Sequence, residues 1–93
     1  MPVVKAVHAF ITGRVQGVAY RQATRTAARS LHLVGWVRNL PDGRVEVWGQ
    51  GDDAGVDRLV EWLWLGPPGA SVTGVESDVV AVDNILHDFF IRQ

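Results

Sequence analysis

The sequence contains no cysteine among its 93 residues. This absence excludes disulfide bonds, thiolate metal sites and cysteine nucleophiles together, and it is compatible with a reducing compartment. The chain has only three histidines, and none of them lies at metal-ligand spacing from another. We therefore expect neither a bound metal nor another cofactor.

Long apolar runs are also missing. The first ten residues lack the charged flank and apolar core of a signal peptide, and no stretch approaches the length of a membrane span. We therefore expect a cytoplasmic protein without membrane association. The length suits one domain over residues 1–93, and the content of 47% hydrophobic and 20% charged residues is typical of a globular chain.

Acidic residues are scarce in the first half of the chain. Between residues 13 and 44 there is one acid, Asp42, whereas acids dominate from residue 45 onward. The same segment contains Arg14, Arg21, Arg25, Arg29, Arg38 and Arg44. This asymmetry suggests that the first half binds an anion, although a solvated, arginine-rich helix face would give the same composition.

Hydrophobic periodicity predicts the order strand, helix, strand, strand, helix, strand and a final strand. The strands are expected at Val4–Thr12, Leu33–Asn39, Arg44–Gln50, Ser71–Ser77 and His87–Arg92, and the helices at Val18–Leu31 and from Asp52 or Asp53 to Gly66. Asp52 or Asp53 is expected to cap the second helix, whose predicted buried stripe is Val56, Leu59, Val60 and Leu63. Val79–Leu86 is predicted to be a loop. This order favours an α+β fold, in which two helices cover one face of an antiparallel sheet in the split βαβ arrangement.

The same periodicity predicts which side chains share a face. Tyr20, Ala23, Ala27 and Leu31 are expected to form the buried side of the first helix. On the first strand, Val7, Ala9 and Ile11 are expected to share one face, and on the closing strand Phe89 and Ile91. On the third strand, Val45 and Val47 are expected to face the core, and Glu46 and Trp48 the other side. Trp36 and Trp48 are expected to share the outward face of the hairpin that the second and third strands form, either as a cross-strand pair or as a binding patch.

The segment GRVQGVAYR, residues 13–21, connects the first strand to the first helix. The first N–H groups of a helix have no partner within it, and together with the positive end of the helix dipole they form an anion site. Gly13 and Gly17 permit a curled backbone that a ligand can approach closely. By itself, such a turn is more often an ordinary tight connection.

Arg21 makes the anion site the better interpretation. It falls in the first turn of the predicted helix, where the dipole favours an acid and disfavours a cation. No acid between residues 13 and 38 could pair with it. A bound anion would explain its position, and the planar guanidinium can donate two parallel hydrogen bonds to a phosphoryl group. A solvated arginine lying along the helix is the alternative.

Two segments together resemble the signatures of the acylphosphatase family: GRVQGV followed by YR at 13–21, and GWVRN at 35–39. The segments GPPGA at 66–70 and FFIR at 89–92 are similar to later landmarks of that family. The resemblance spans nearly the whole chain. It implies a ferredoxin-like βαββαβ fold and metal-free hydrolysis of small acyl phosphates to a carboxylate and inorganic phosphate.

The resemblance also implies roles for single residues. Arg21 would bind the phosphoryl group, and Asn39 would orient the attacking water. The backbone of the loop would cradle the phosphate, and the phosphate-binding residues implied are Arg14, Val15, Gln16, Gly17, Val18, Ala19, Tyr20 and Arg21. Since a carboxamide is not basic enough to deprotonate water, either the phosphoryl group or the leaving carboxylate would accept the proton. An asparagine before a turn is otherwise a common strand terminator.

Two other functions compete with this interpretation. The order of elements is also that of the RNA-recognition motif, in which Phe10, Trp36 and Trp48 could stack on bases. The third strand lacks the basic, doubly aromatic pattern of such modules, and Glu46 would repel RNA, so we expect no nucleic-acid partner. The chain could also belong to a larger protein that processes carbamoyl phosphate. We expect instead a free-standing monomer that acts on small acyl phosphates and releases inorganic phosphate.

Overall fold

Five strands and two helices make up the computed structural model, which describes residues 4–93. The strands are β1 (Val4–Arg14), β2 (Val34–Asn39), β3 (Val45–Asp52), β4 (Ser71–Val80) and β5 (Phe89–Ile91), and the helices are α1 (Tyr20–Ser30) and α2 (Asp53–Leu65). The sheet has the order β4-β1-β3-β2-β5. Residues 1–3 of the expected domain lie outside the described residues.

The arrangement is the predicted ferredoxin-like α+β sandwich, with one difference in the sheet. The first four strands pair antiparallel, whereas β5 pairs parallel with β2. The sheet is therefore mixed and not wholly antiparallel as predicted. Neither helix within residues 4–93 has the length and apolar character that crossing a membrane requires.

The core lies between the sheet and the helices and follows the predicted alternation. In β1 the side chains of Val7, Ala9 and Ile11 are buried, and in β3 those of Val45 and Val47. From α2 the residues packed against them are Val56, Leu59 and Leu63. This i, i+3, i+7 spacing places the three side chains on one face of the helix, as the sequence pattern predicts, whereas Val60 at i+4 is only partly buried.

The buried face of α1 differs from the predicted one. Its buried residues are Tyr20, Thr24 and Ala28, while Ala23 and Ala27 are half-buried at the flank. Thr24 can be buried because its hydroxyl group donates a 2.8 Å hydrogen bond to the carbonyl oxygen of Tyr20. The buried face of α1 is therefore rotated slightly about the helix axis from the face that the apolar residues predict.

The C-terminus of α1 is closed by a Schellman motif. Leu33 donates its main-chain N–H to the carbonyl oxygen of Ala28, and His32 donates to that of Arg29, both at 3.0 Å. His32 adopts a left-handed conformation with φ of 59°. Leu33 is buried directly after this turn, so the motif directs the chain from α1 toward the sheet, where β2 begins.

Both ends of α2 lie close to their predicted positions. Asp52 occupies the N-cap position, but its side chain makes no capping hydrogen bond, contrary to the capping role predicted for Asp52 or Asp53. At the other end Gly66 has φ of 68°, as expected for a left-handed residue that ends a helix. A Cβ atom there would lie 2.8 Å from the ring of Tyr20, so this position also lacks room for a side chain.

The last two strands differ from their predicted bounds. Val79 and Val80 belong to β4 because they pair with Val7 and Ala6 of β1, so the loop predicted for Val79–Leu86 is wrong at its first two residues. The final strand is shorter than His87–Arg92 and comprises only Phe89–Ile91. Within it Phe89 is buried and Ile91 packs against the core, as expected for residues that share a face.

The sheet face away from the helices carries a polar and aromatic cluster. Trp36 and Trp48 are directly opposite each other and their rings stack at 6.4 Å, so of the two alternatives the structure shows the cross-strand pair. Glu46 lies on this face, as predicted, but its side chain is only 8% exposed. Its carboxylate accepts hydrogen bonds from Arg38 and from His8, the latter at 2.6 Å.

Candidate active site

A pocket of about 210 Å³ opens where the β1–α1 loop meets the end of β2. It is lined by Val15, Gly17, Ala19, Tyr20, Arg21, Gln22, Asn39 and Ile91. The strands β1, β2 and β5 all run in the same direction, because β1 and β2 are each antiparallel to β3 and β5 is parallel to β2. Their carboxyl ends therefore meet at the edge of the sheet where the pocket lies.

The loop that forms one wall curls through two left-handed residues. Gly17 has φ of 76° and Ala19 has φ of 59°. A Cβ at Gly17 would meet nothing within 4 Å, so glycine is required there for its backbone conformation and not for space. A left-handed alanine costs about 1–2 kcal/mol relative to its right-handed form. Such local strain is typical of a site that positions a ligand.

The left-handed Ala19 explains why α1 begins at Tyr20 and not at Val18. The first hydrogen bond of the helix runs from the N–H of Ala23 to the carbonyl oxygen of Ala19, at 3.0 Å. The N–H groups of Tyr20, Arg21 and Gln22 precede this bond and have no partner within the helix. Ala19 makes no side-chain cap, and the first turn contains no acid. Within residues 4–93, the positive end of α1 therefore lies at the pocket with no acidic side chain in its own first turn.

Arg21 lies in the wall of this pocket and is half-buried. Within residues 4–93 the ion pairs of arginine are Arg29–Asp88, Arg38–Glu46 and Arg44–Asp42, and none includes Arg21. Half of the arginines in the basic segment are thus neutralised by acids, whereas Arg21 is not. A guanidinium and three main-chain donors face the same space, which suits a phosphoryl group.

Asn39 ends β2 at the opposite wall of the pocket. Its side-chain oxygen Oδ1 is buried and accepts no hydrogen bond from residues 4–93. Buried acceptors are nearly always paired in folded proteins, so this one is unusual. A side chain that only ended the strand would bond the following turn. That turn is bonded instead by Gln16 and by Asp42.

Most of the predicted site residues meet in the pocket, but three do not line it. Val15, Gly17, Ala19, Tyr20 and Arg21 line the wall together with Asn39. The residues outside the wall are Arg14, Gln16 and Val18. Arg14 is exposed at the end of β1, where it pairs with Ser71.

Two residues of the wall were missed from the sequence. Gln22 is the third residue of α1, and its position beside the first turn could have indicated it. Ile91 reaches the pocket because β5 pairs in parallel with β2 and places Ile91 beside Val37. Sequence alone did not show this parallel pairing, although Phe89 and Ile91 were expected to share a face.

Burial explains a further property of the site. Desolvation raises the pKa of Tyr20 well above its usual value, so this phenol stays neutral at the helix start.

In residues 4–93 there is no group of three or more His, Cys, Asp or Glu side chains that could hold a metal ion. The polar groups of the wall are a guanidinium, carboxamides and N–H groups, which suit an anion better than a cation.

Comparison with known proteins agrees with this geometry. The family model described as Acylphosphatase matches residues 7–91. The acylphosphatase of Acaryochloris marina is 55% identical over 78 residues, which are 84% of each chain. That of Methylococcus capsulatus is 48% identical over 87 residues, 94% of this chain and 95% of the relative. A solved acylphosphatase structure from Coxiella burnetii has a TM-score of 0.92 and 39% identity, and covers 96% of this chain and 93% of that one. The chain therefore belongs to the acylphosphatase family, whose members hydrolyse acyl phosphates.

Proposed function

We propose that the pocket at the start of α1 is where this enzyme hydrolyses small acyl phosphates. In this proposal Arg21 and the main-chain N–H groups of the loop bind the phosphoryl group, and Asn39 orients the attacking water. The observation that carries the proposal is that Asn39, whose buried Oδ1 accepts no hydrogen bond from residues 4–93, lines the same pocket as Arg21, which forms no ion pair within those residues. This acceptor can take a hydrogen bond from the water that attacks.

The chemistry requires little more than these groups. Water forms a bond to phosphorus while the bond from phosphorus to the acyl oxygen breaks, and the electron pair of that bond leaves with the carboxylate. The proton that the water loses passes to the phosphoryl group or to the leaving carboxylate. A carboxylate is a good leaving group, so the barrier consists mainly of placing water in line and stabilising charge on the equatorial oxygens. Preorganised N–H donors and Arg21 stabilise that charge, and the carboxamide of Asn39 places the water.

We also propose that the enzyme has no nucleic-acid partner. Trp36 is the most suitable stacking platform of the open sheet face, but its ring stacks on Trp48, and the guanidinium carbon of Arg92 lies 4.4 Å from its centroid. The buried carboxylate of Glu46 lies on the same face. These contacts oppose base stacking, because the aromatic ring is already packed against other side chains of the same chain. A filter-binding assay should detect no retention of single-stranded RNA.

The remaining proposals concern the state of the protein in the cell. We propose a monomer in the cytoplasm, consistent with a cysteine-free chain that carries its loop, helix start and strand end in one pocket. Sedimentation equilibrium should give the mass of one chain across the concentration range of the activity assay. A stable dimer would contradict the monomer.

The decisive experiment compares two alanine variants in the hydrolysis of benzoyl phosphate and in inhibition by inorganic phosphate. Arg21→Ala should lose both phosphate inhibition and turnover, because it removes the cationic contact to the phosphoryl group. Asn39→Ala should keep phosphate inhibition but lower kcat by about 100-fold, the usual effect of one positioned transition-state group. Normal hydrolysis by Arg21→Ala would show that the assigned role is wrong.

Matched controls separate these effects from general loss of structure. Arg25→Ala removes an arginine one turn further along α1 that does not line the pocket. Asn84→Ala removes an exposed asparagine between β4 and β5. Both variants should have the kcat and the phosphate inhibition constant of the parent.

A further inference from the structure

Gln16 lies within the β1–α1 loop, yet its side chain is not part of the pocket wall. Its Nε2 donates hydrogen bonds to the carbonyl oxygen of Leu40, at 2.9 Å, and to that of Arg44, at 3.0 Å. Both acceptors belong to the β2–β3 turn that directly follows Asn39. The side chain therefore joins the loop to the strand end that forms the opposite wall.

These two carbonyl oxygens are the ones that close the turn. Leu40 donates its N–H to the carbonyl oxygen of Arg44 at 2.8 Å, and Gly43 donates to that of Leu40 at 3.1 Å. Leu40 follows Asn39 in the chain, and Arg44 precedes Val45, which pairs with Asn39 across the two strands. One carboxamide thus holds both strands of the hairpin at the position of Asn39.

The loop has few other attachments of this kind. Val15 and Val18 hold the loop by apolar packing on the core, and Gln16 is the residue of 15–19 whose side chain can form hydrogen bonds. The loop is also curled through the left-handed Gly17 and Ala19. Gln16 therefore provides the polar link between the loop and the turn that follows Asn39.

We infer that Gln16 is a positioning residue for the hydrolysis. Its carboxamide fixes the distance between the N–H groups that bind the phosphoryl group and the Asn39 side chain that orients the water. This inference rests on the proposed roles of the loop and of Asn39. It adds a side chain that contacts neither substrate nor water and acts through the main chain of the β2–β3 turn.

The expected signature is a split between turnover and binding. Gln16→Met keeps the length of the side chain and removes both donors, and Gln16→Glu keeps its shape but presents only acceptors to two carbonyl oxygens. Each should lower kcat by about 10- to 100-fold, since a misplacement of about 1 Å can cost 100-fold in rate. The inhibition constant of inorganic phosphate should change by less than about threefold, because Arg21 and the N–H groups move with the loop.

A double-mutant cycle with Asn39→Ala tests whether Gln16 acts through Asn39. In the Asn39→Ala background, Gln16→Met should lower kcat by less than about threefold, because the group that it positions is already absent. If the two effects multiply, Gln16 does not act through Asn39 and this inference fails alone. If Asn39→Ala by itself keeps full turnover, the proposed role of Asn39 fails first.

Gln50→Met is the matched control. The carboxamide of Gln50 also bridges two segments through the main chain, since it donates to the carbonyl oxygen of Asp83 and accepts from the N–H of the same residue. Gln50 lies on the sheet face away from the helices, the same face as Trp48, and does not line the pocket. Gln50→Met should lose stability, measured by urea unfolding, but keep kcat.

Two results would overturn the inference directly. One is a folded Gln16→Met or Gln16→Glu variant with the kcat of the parent. The other is a folded variant in which turnover and phosphate inhibition fall together, as expected of a general distortion of the loop. Because either variant alone suffices for both measurements, failure of one to fold leaves the other to decide.

Discussion

The hydroxyl group of Tyr20 donates a 2.6 Å hydrogen bond to the main-chain carbonyl oxygen of Leu63. This bond joins the first residue of α1 to the last turn of α2. The ring of Tyr20 is buried, and its centroid lies 5.7 Å from that of Trp62. The helix start that lines the pocket is therefore fastened to the second helix and not only to the sheet.

Replacement of Tyr20 by phenylalanine should destabilise the fold. Tyr20→Phe removes the donor and leaves the buried carbonyl oxygen of Leu63 without its partner, which costs about 1–3 kcal/mol. The free energy of unfolding in urea measures the loss. Thr26→Val provides the comparison, because Thr26 donates a hydroxyl bond to a carbonyl oxygen at an exposed position of the same helix. Its effect should stay within about 0.5 kcal/mol.

His32 offers a site at which glycine should raise stability. Its φ of 59° costs an L-residue about 1–2 kcal/mol, and the greater flexibility of an unfolded glycine offsets about 0.4–1 kcal/mol of the gain. His32→Gly should therefore increase the free energy of unfolding by about 0.5–1 kcal/mol. His87→Gly is the control, since His87 is not among the left-handed residues of the described chain. If His32→Gly had the same stability as the parent or a lower one, the left-handed conformation of His32 would not be strained.

Glu46 should make stability depend on pH in the acidic range. Burial of Glu46 favours its neutral form, but hydrogen bonds from Arg38 and His8 outweigh this effect and lower the pKa of Glu46 below its usual value of 4.5. Its ionised form therefore stabilises the fold above about pH 4.5, and this contribution is lost as pH falls through the lowered pKa.

Glu46→Gln tests this prediction by removing the charge while keeping the shape. The variant should lose about 1.5–3 kcal/mol of unfolding free energy at pH 7, the usual contribution of hydrogen bonds to a charged group. Between pH 5 and pH 3 it should lose less stability than the parent. Glu76→Gln, at an exposed position of β4, should follow the acid profile of the parent. Identical profiles for Glu46→Gln and the parent would rule out the proposed linkage.

Chelation should leave turnover unchanged. The pocket presents a guanidinium, carboxamides and N–H groups, and none of its lining residues carries a carboxylate or an imidazole. For each of acetyl, carbamoyl and benzoyl phosphate, the rate of inorganic phosphate release should therefore be the same with and without EDTA. Activity that disappears with EDTA and returns with a divalent cation would contradict the metal-free mechanism.

The sequence was sufficient where local rules act alone. Two glycines and an arginine against the helix dipole indicated the anion-binding loop, whereas the role of Asn39 was implied by the resemblance to the acylphosphatases. Strand alternation predicted the buried face of β1, and Gly66 predicted the end of α2. In each case a short segment determines its own conformation, so one sequence suffices.

Three features of the structure were not predicted from the sequence, and only one of them depends on a contact between distant segments. Ala19 is left-handed although alanine rarely is, and this moved the start of α1 to Tyr20. Thr24 is buried because it bonds the preceding turn of its own helix. Ile91 reaches the pocket only because β5 pairs in parallel with β2. None of these outcomes leaves a periodic signal in the amino-acid order.

The direction of β1 has a practical bearing on attaching this protein to a solid support or a reporter. β1 begins with Val4 beside Asp52, at the end of the sheet away from the pocket, and reaches the pocket only at its other end. Ile91, by contrast, is two residues from Gln93 and forms part of the pocket wall. A linker joined ahead of β1 should leave substrate access free, whereas one joined after Gln93 should crowd the entrance.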